Sequence, residues 1–135
     1  MTVKCIGNTG YYLSKETRLK TGDTIHTKYP LKIGDIFIVY GQLLCNDTLH
    51  YLIKGTEENL PSWYQAELFE VINALMPLEF YFKYNSHSKI RALWGFQELV
   101  FDENYGEALE ERESYAIQIF LKRKKEIDEF EELPR

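Results

Sequence analysis

Hydrophobic and polar residues alternate through much of the first half of the chain, and the alternation predicts short strands. Thr2-Val3-Lys4-Cys5-Ile6 has the period-two pattern of a half-buried strand. Gly7-Asn8-Thr9-Gly10 turns the chain, because Gly and Asn tolerate the positive φ that turns demand. Residues 14–28, rich in Lys, Thr and Gly, predict a polar surface loop with a short paired arm around Lys20-Thr21-Gly22-Asp23. Ile36-Phe37-Ile38-Val39-Tyr40 is apolar on both faces and predicts a central strand covered on each side. Cys45-Asn46-Asp47-Thr48 reads as a hairpin turn into a strand over residues 49–54, followed by a polar loop over 55–60. Pro61-Ser62-Trp63-Tyr64 opens the next segment, and the apolar run over 67–72 predicts another strand.

Aromatics alternate again at Phe80, Phe82 and Tyr84, so residues 79–84 predict a strand. Asn85-Ser86-His87-Ser88 turns it into a partner strand over 89–94, which Gly95 breaks. Gln97–Phe101 fits a short helix and a strand edge equally. Asp102 or Asn104 caps one long helix reaching residue 128, with an apolar stripe at Tyr105, Leu109, Ala116, Ile117, Ile119, Phe120 and Ile127. Acids crowd its first turns and Lys122–Lys125 lie near its end, an order that complements the helix dipole. Arg112 interrupts the stripe and predicts an ion pair that docks the helix on the sheet.

Four or five short strands before residue 75, with one long polar excursion after the first turn, suit a small, bent antiparallel barrel. Two segments carry a likeness here: Tyr29-x-x-x-x-Gly34-Asp35, leading into a strand, and Trp63-Tyr64-x-Ala66-x-Leu68-Phe69-Glu70. In them the first half of the chain resembles an SH3-like barrel. The expected fold is therefore α+β in a single domain. An SH3-like antiparallel β-barrel over 1–75 is joined by a β-hairpin and a long C-terminal helix over 76–135.

Composition sharpens this picture. Aromatic residues are 15% of the 135, which favours a substantial sheet. The net charge of −5 is uneven: residues 97–135 hold twelve Asp or Glu against six Lys or Arg, and residues 1–96 hold nine against ten. An acidic C-terminal third repels phosphate backbones and argues against nucleic acid as a partner. Two cysteines, Cys5 and Cys45, are too few for a disulfide framework and read as free thiols. Residues 1–6 lack a signal-peptide pattern, and no apolar stretch approaches the ~20 residues of a membrane span, so the expected setting is cytoplasmic with no membrane partner.

Catalytic chemistry finds no anchor. His26, His50 and His87 fall in a loop, a strand and a turn, away from any nucleophile elbow. Gly7-Asn8-Thr9-Gly10 lacks phosphate-loop spacing, and nothing in the sequence calls for a metal or cofactor. The expectation is a non-catalytic protein-binding module. On size and charge the chain resembles the immunity proteins of bacterial or phage accessory systems, which neutralise toxins. That resemblance implies a basic toxin as partner, held by Asp102, Glu103, Glu107, Glu110 and Glu111. The alternative is a small-molecule or peptide sensor using loop-flanking aromatics at the barrel mouth, Tyr11, Tyr12, Trp63 and Tyr64.

Overall fold

The computed structural model describes residues 1–55 and 60–133. In chain order its strands are β1 (Thr2–Cys5), β2 (Ile36–Ile38), β3 (Gly41–Cys45), β4 (Thr48–Lys54), β5 (Pro61–Gln65), β6 (Phe69–Asn73), β7 (Tyr81–Tyr84) and β8 (Ile90–Gly95). The helices are α1 (Lys15–Thr21), α2 (Gln97–Phe101), α3 (Tyr105–Glu110) and α4 (Ser114–Glu131). The fold is α+β, with antiparallel sheets and a long C-terminal helix, as the sequence predicts. No helix among the described residues is long and apolar enough to cross a membrane.

Strand pairing gives a three-stranded sheet, β2-β1-β6, and a five-stranded sheet, β5-β4-β3-β8-β7. No ladder among the described residues closes the two into a ring. The predicted hairpin at Cys45–Thr48 is present. Asn46 and Asp47 both take positive φ, at 50° and 61°, the geometry that matches the twist of the flanking strands. The second hairpin, β7-β8, adds its strands to the free edge of β3, so Leu43 lies opposite Leu93 across the sheet.

Two cores result, and β4 belongs to both. Tyr51 and Ile53 face a core with Val3, Phe37, Leu68 and Phe69; Leu52, between them, faces a second with Phe96, Leu99, Tyr105, Leu109 and Phe120. Alternate residues of a strand point to opposite faces, so β4 is the strand covered on both sides. The sequence predicts that role for residues 36–40. Instead β2 ends at Ile38 and lies at a sheet edge, where Ile36 is 61% exposed. The apolar run is long because the chain crosses there from one sheet to the other, with Val39 in the first core and Tyr40 in the second.

Further expectations are corrected. The excursion over 14–28 contains α1 rather than a paired arm. Ser14 Oγ accepts from the Thr17 N–H at 3.1 Å, and Gly22, at φ 80°, ends the helix. Glu67 accepts from the Thr17 hydroxyl and from the Ser14 N–H, so α1 is pinned to the 3-10 turn at Ala66–Leu68, which replaces the first residues of the predicted 67–72 strand. Only Thr17 of α1 is buried, which leaves no apolar stripe to announce it. Residues 56–59 of the predicted polar loop lie outside the described residues.

The single long helix from 102 or 104 to 128 is two helices. Arg112 breaks it with a left-handed φ of 61°, a conformation that costs an L-residue roughly 1–2 kcal/mol. Hydrogen bonds hold it there: Arg112 Nη1 donates to the Pro61 carbonyl at 2.8 Å and to that of Leu109 at 3.4 Å. The guanidinium therefore docks the helical segment on β5 through backbone oxygen, where the sequence predicts a carboxylate. Tyr105 Oη donates to the Ala116 carbonyl at 2.9 Å across the corner between α3 and α4.

α2 is fixed at both ends of its side. Leu99 seats on bare backbone where Gly41 and Gly95 face each other: a Cβ on either would stand 2.4 or 2.8 Å from Leu99 Cδ2. On the outer side, Arg123 Nε and Nη2 donate to the two carboxylate oxygens of Glu98 at 2.8 and 2.9 Å. That bidentate bond holds the Glu98 carboxyl below the ordinary carboxylate range, against the smaller upward pull of burial. A depressed carboxylate contributes stability above its unfolded-state pKa and loses it as pH falls through the folded value. Glu98→Gln should therefore cost about 1 kcal/mol at pH 7. The difference from the parent chain should shrink as pH drops toward about 3. Denaturant melts at the two pH values measure it; an equal gap at both would remove this role from the pair.

Candidate partner-binding groove

The five-stranded sheet and the α2–α3 segment leave a groove of about 720 Å³ between them. Its floor is apolar, built from Leu43 and Leu93 on the sheet, Leu99 and Val100 on α2, and Trp63 on β5. One wall carries Lys83 and Arg91 from the β7-β8 hairpin. The other carries Asp102, Glu103, Glu107, Glu110 and Glu111. All five acids expected from the sequence to meet a partner thus line one cleft, and Trp63 lies in its floor.

Helical spacing explains why α3 presents its acids this way. Tyr105, Ala108 and Leu109 are buried, which turns Gly106, Glu107 and Glu110 outward on the opposite face. Asp102 and Glu103 stand in the turn just before, where Asp102 Oδ1 accepts from the Asn104 N–H at 3.0 Å. The sequence places these carboxylates in the first turns of a long helix, where they would complement its dipole. With the helix broken at Arg112, they belong instead to the short α3 and the corner after it.

Several acids nearby are engaged within the chain. Glu98 and Glu126 are engaged by Arg123, Asp128 by Lys124, and Glu131 by the N-terminal ammonium. Among the described residues, Glu103, Glu107, Glu110 and Glu111 have no ion-pair partner within 4 Å. Across the groove, Arg91 is turned to Asp47, 3.5 Å away in an exposed pair. No three His, Cys, Asp or Glu among the described residues gather closely enough to hold a metal ion. The acids form an open field beside an apolar floor, with Lys83 on the facing wall. The chain matches no known protein family, no curated protein and no solved structure.

The loop-flanking aromatics do not gather at one mouth. Tyr64 is a strand residue buried in the first core, and Trp63 beside it faces the other way, toward the groove. Tyr11 and Tyr12 sit in a 3-10 turn after β1, exposed and packed edge to face with ring centres 5.4 Å apart. Trp94 lies in β8, tilted against Phe82 with ring centres 4.9 Å apart, on a half-exposed sheet face. His26 and His87 are exposed. His50 is half-buried with Nδ1 2.9 Å from the Thr48 carbonyl, and burial lowers its pKa. Cys5 is buried with its thiol directed at the Gly7 carbonyl, and burial raises its pKa.

Sequence reasoning missed the floor, Trp63 apart, and the basic wall. Leu43, Leu93 and Lys83 come together only because β8 docks on β3, a pairing between residues some fifty positions apart that no local pattern encodes.

Proposed function

We propose that this chain is a non-catalytic protein-binding module that takes a cationic, apolar-faced segment of a partner protein into the groove between the β3-β8-β7 face and α3. The observation that carries this reading is the set of unpaired carboxylates along an apolar floor. Such carboxylates repel one another and gain nothing within the chain; a basic partner would neutralise them while the floor takes its apolar side chains. The reading agrees with an immunity-type role, in which an acidic surface captures a basic toxin. Residues 1–75 are proposed as an SH3-like scaffold for that surface, supported by the β2-β1-β6 and β3-β4-β5 strand orders and the 3-10 turn between β5 and β6.

Titration with an amphipathic arginine–leucine peptide, followed by Trp63 emission, tests the idea. Affinity should fall steeply as ionic strength rises from about 0.01 to about 1 M, where the screening length shrinks from roughly 30 to roughly 3 Å. A Trp63→Phe variant removes the groove signal and leaves that of Trp94. Affinity indifferent to salt would overturn the proposal.

A further inference from the structure

The five-stranded sheet ends on an open edge at β7. Its opposite edge is guarded: β5 begins with Pro61, which has no N–H, and the Pro61 carbonyl already accepts from Arg112. β7 has no such cover. Among the described residues only β8 pairs with it. Just past its end, the Asn85 N–H donates to the Arg91 carbonyl at 2.8 Å, which makes those two a hydrogen-bonded pair. Antiparallel pairs alternate, so Tyr81 and Lys83 turn their backbone groups to β8, while Phe82 and Tyr84 turn theirs outward. The side chains there are aromatic and open to solvent: Phe82 is 51% exposed and Tyr84 63%. An edge of free donors and acceptors flanked by rings is a template for another strand.

We infer that this strand is β7 of a second copy, paired antiparallel across a two-fold axis at Phe82, so that two sheets become one. β7 selects this occupant because it is complementary to itself. A two-fold axis normal to the sheet keeps each face on its own side, so even-numbered residues meet even ones and odd meet odd. Registers centred on Phe82 and on Lys83 both use the outward groups of Phe82 and Tyr84. Centring on Lys83 sets two ammonium groups opposite each other at the close, non-hydrogen-bonded position, which is repulsive. Centring on Phe82 instead sets each Lys83 opposite the second copy's Tyr81, where the ammonium meets an aromatic ring. On the other face Phe82 already packs on Trp94 with ring centres 4.9 Å apart, and the two copies join these pairs in one aromatic row. Charge decides the register, and that register aligns the rings.

Sedimentation equilibrium of the chain alone, from micromolar to near-millimolar concentration, tests this without any peptide. The mass should rise toward that of two chains. Phe82→Lys places like charges on the axis and should weaken dimerisation by about tenfold or more. Tyr84→Pro removes an outward donor but no bond to β8, and should act in the same direction, so the outcome does not hang on one variant folding. Thermal melts at the low-concentration end, where the chain is a monomer, confirm both folds. Disulfide capture reads the register. The Cα atoms of position 82 should lie about 5.5 Å apart across the axis, within disulfide reach. Mild oxidation should therefore link Phe82→Cys into a covalent dimer, and Lys83→Cys, two residues out of register with its counterpart, far less. The parent chain, with Cys5 and Cys45, is the control. A parent that stays monomeric at the highest concentration overturns the inference and leaves the edge to a foreign strand. A dimer that neither Phe82→Lys nor Tyr84→Pro weakens overturns it too, by placing the contact elsewhere, and readier linking through Lys83→Cys refutes the axis at Phe82. None of these failures touches the groove reading, because no cationic probe is present.

Discussion

Glu107→Lys/Glu110→Lys should weaken binding of a cationic partner by about a hundredfold or more at low ionic strength, and leave the fold standing. Both side chains are exposed, have no ion-pair partner among the described residues, and point away from the core. Surface substitutions of that kind change stability by only about 0.5 kcal/mol. Binding responds differently, because each reversal both removes an attraction and installs a repulsion. Two such swaps at a charged interface are worth several kcal/mol, and each 1.4 kcal/mol is about tenfold in affinity. Calorimetry or Trp63 emission reads the affinity, and a thermal melt confirms the fold. The loss should shrink as salt is added, since screening acts on the repulsion as it does on the attraction. Equal affinity for parent and variant at low salt would remove α3 from the interface.

The largest effect on folding is expected at the seat of α2. Gly95→Val should destabilise the chain by about 3 kcal/mol or more, a large share of the usual margin of about 5–15 kcal/mol. Two penalties act at once. Gly95 has φ 152° and a Cβ there would stand 2.8 Å from Leu99 Cδ2 and 3.3 Å from the Tyr40 carbonyl oxygen. Overpacking a core costs about 1–3 kcal/mol, and a side chain in this backbone region about as much again. Truncating the obstacle separates the two: in Gly95→Val/Leu99→Ala the steric part should be relieved, leaving backbone strain and the cavity of the shortened leucine. Urea melts of the single and double variants measure the coupling. A Gly95→Val chain as stable as the parent would mean that α2 does not need this seat.

Much of the architecture was legible because it is written locally. The turn at Asn46-Asp47, the alternation in β1 and β7, and the apolar stripe of α4 each lie within one short window of sequence. α1 was hidden because its helix is held by a Ser14 cap and a Glu67 acceptor fifty positions away rather than by an apolar face. The break at Arg112 was hidden too, since a left-handed arginine carries no pattern and is stabilised by a carbonyl on β5. The run 36–40 misled because an apolar stretch long enough for a buried strand also serves a chain that passes between two cores. For the groove, the acids were visible as a local excess of charge, but their release from internal pairing depends on where Arg123, Lys124 and the N-terminus lie in space. Apart from Trp63 the floor was invisible, being made by strands and a helix that are distant in sequence.

β4 is a party wall. Its odd- and even-numbered side chains insulate different rooms, so damage on the helical side cannot be confined there: displacing Leu52 tilts the same backbone that presents Tyr51 and Ile53 to the other side. The scaffold beneath the binding face and the far sheet therefore stand or collapse as one. A partner that grips α3 would brace residues it never touches, including the distant strand that opens the chain.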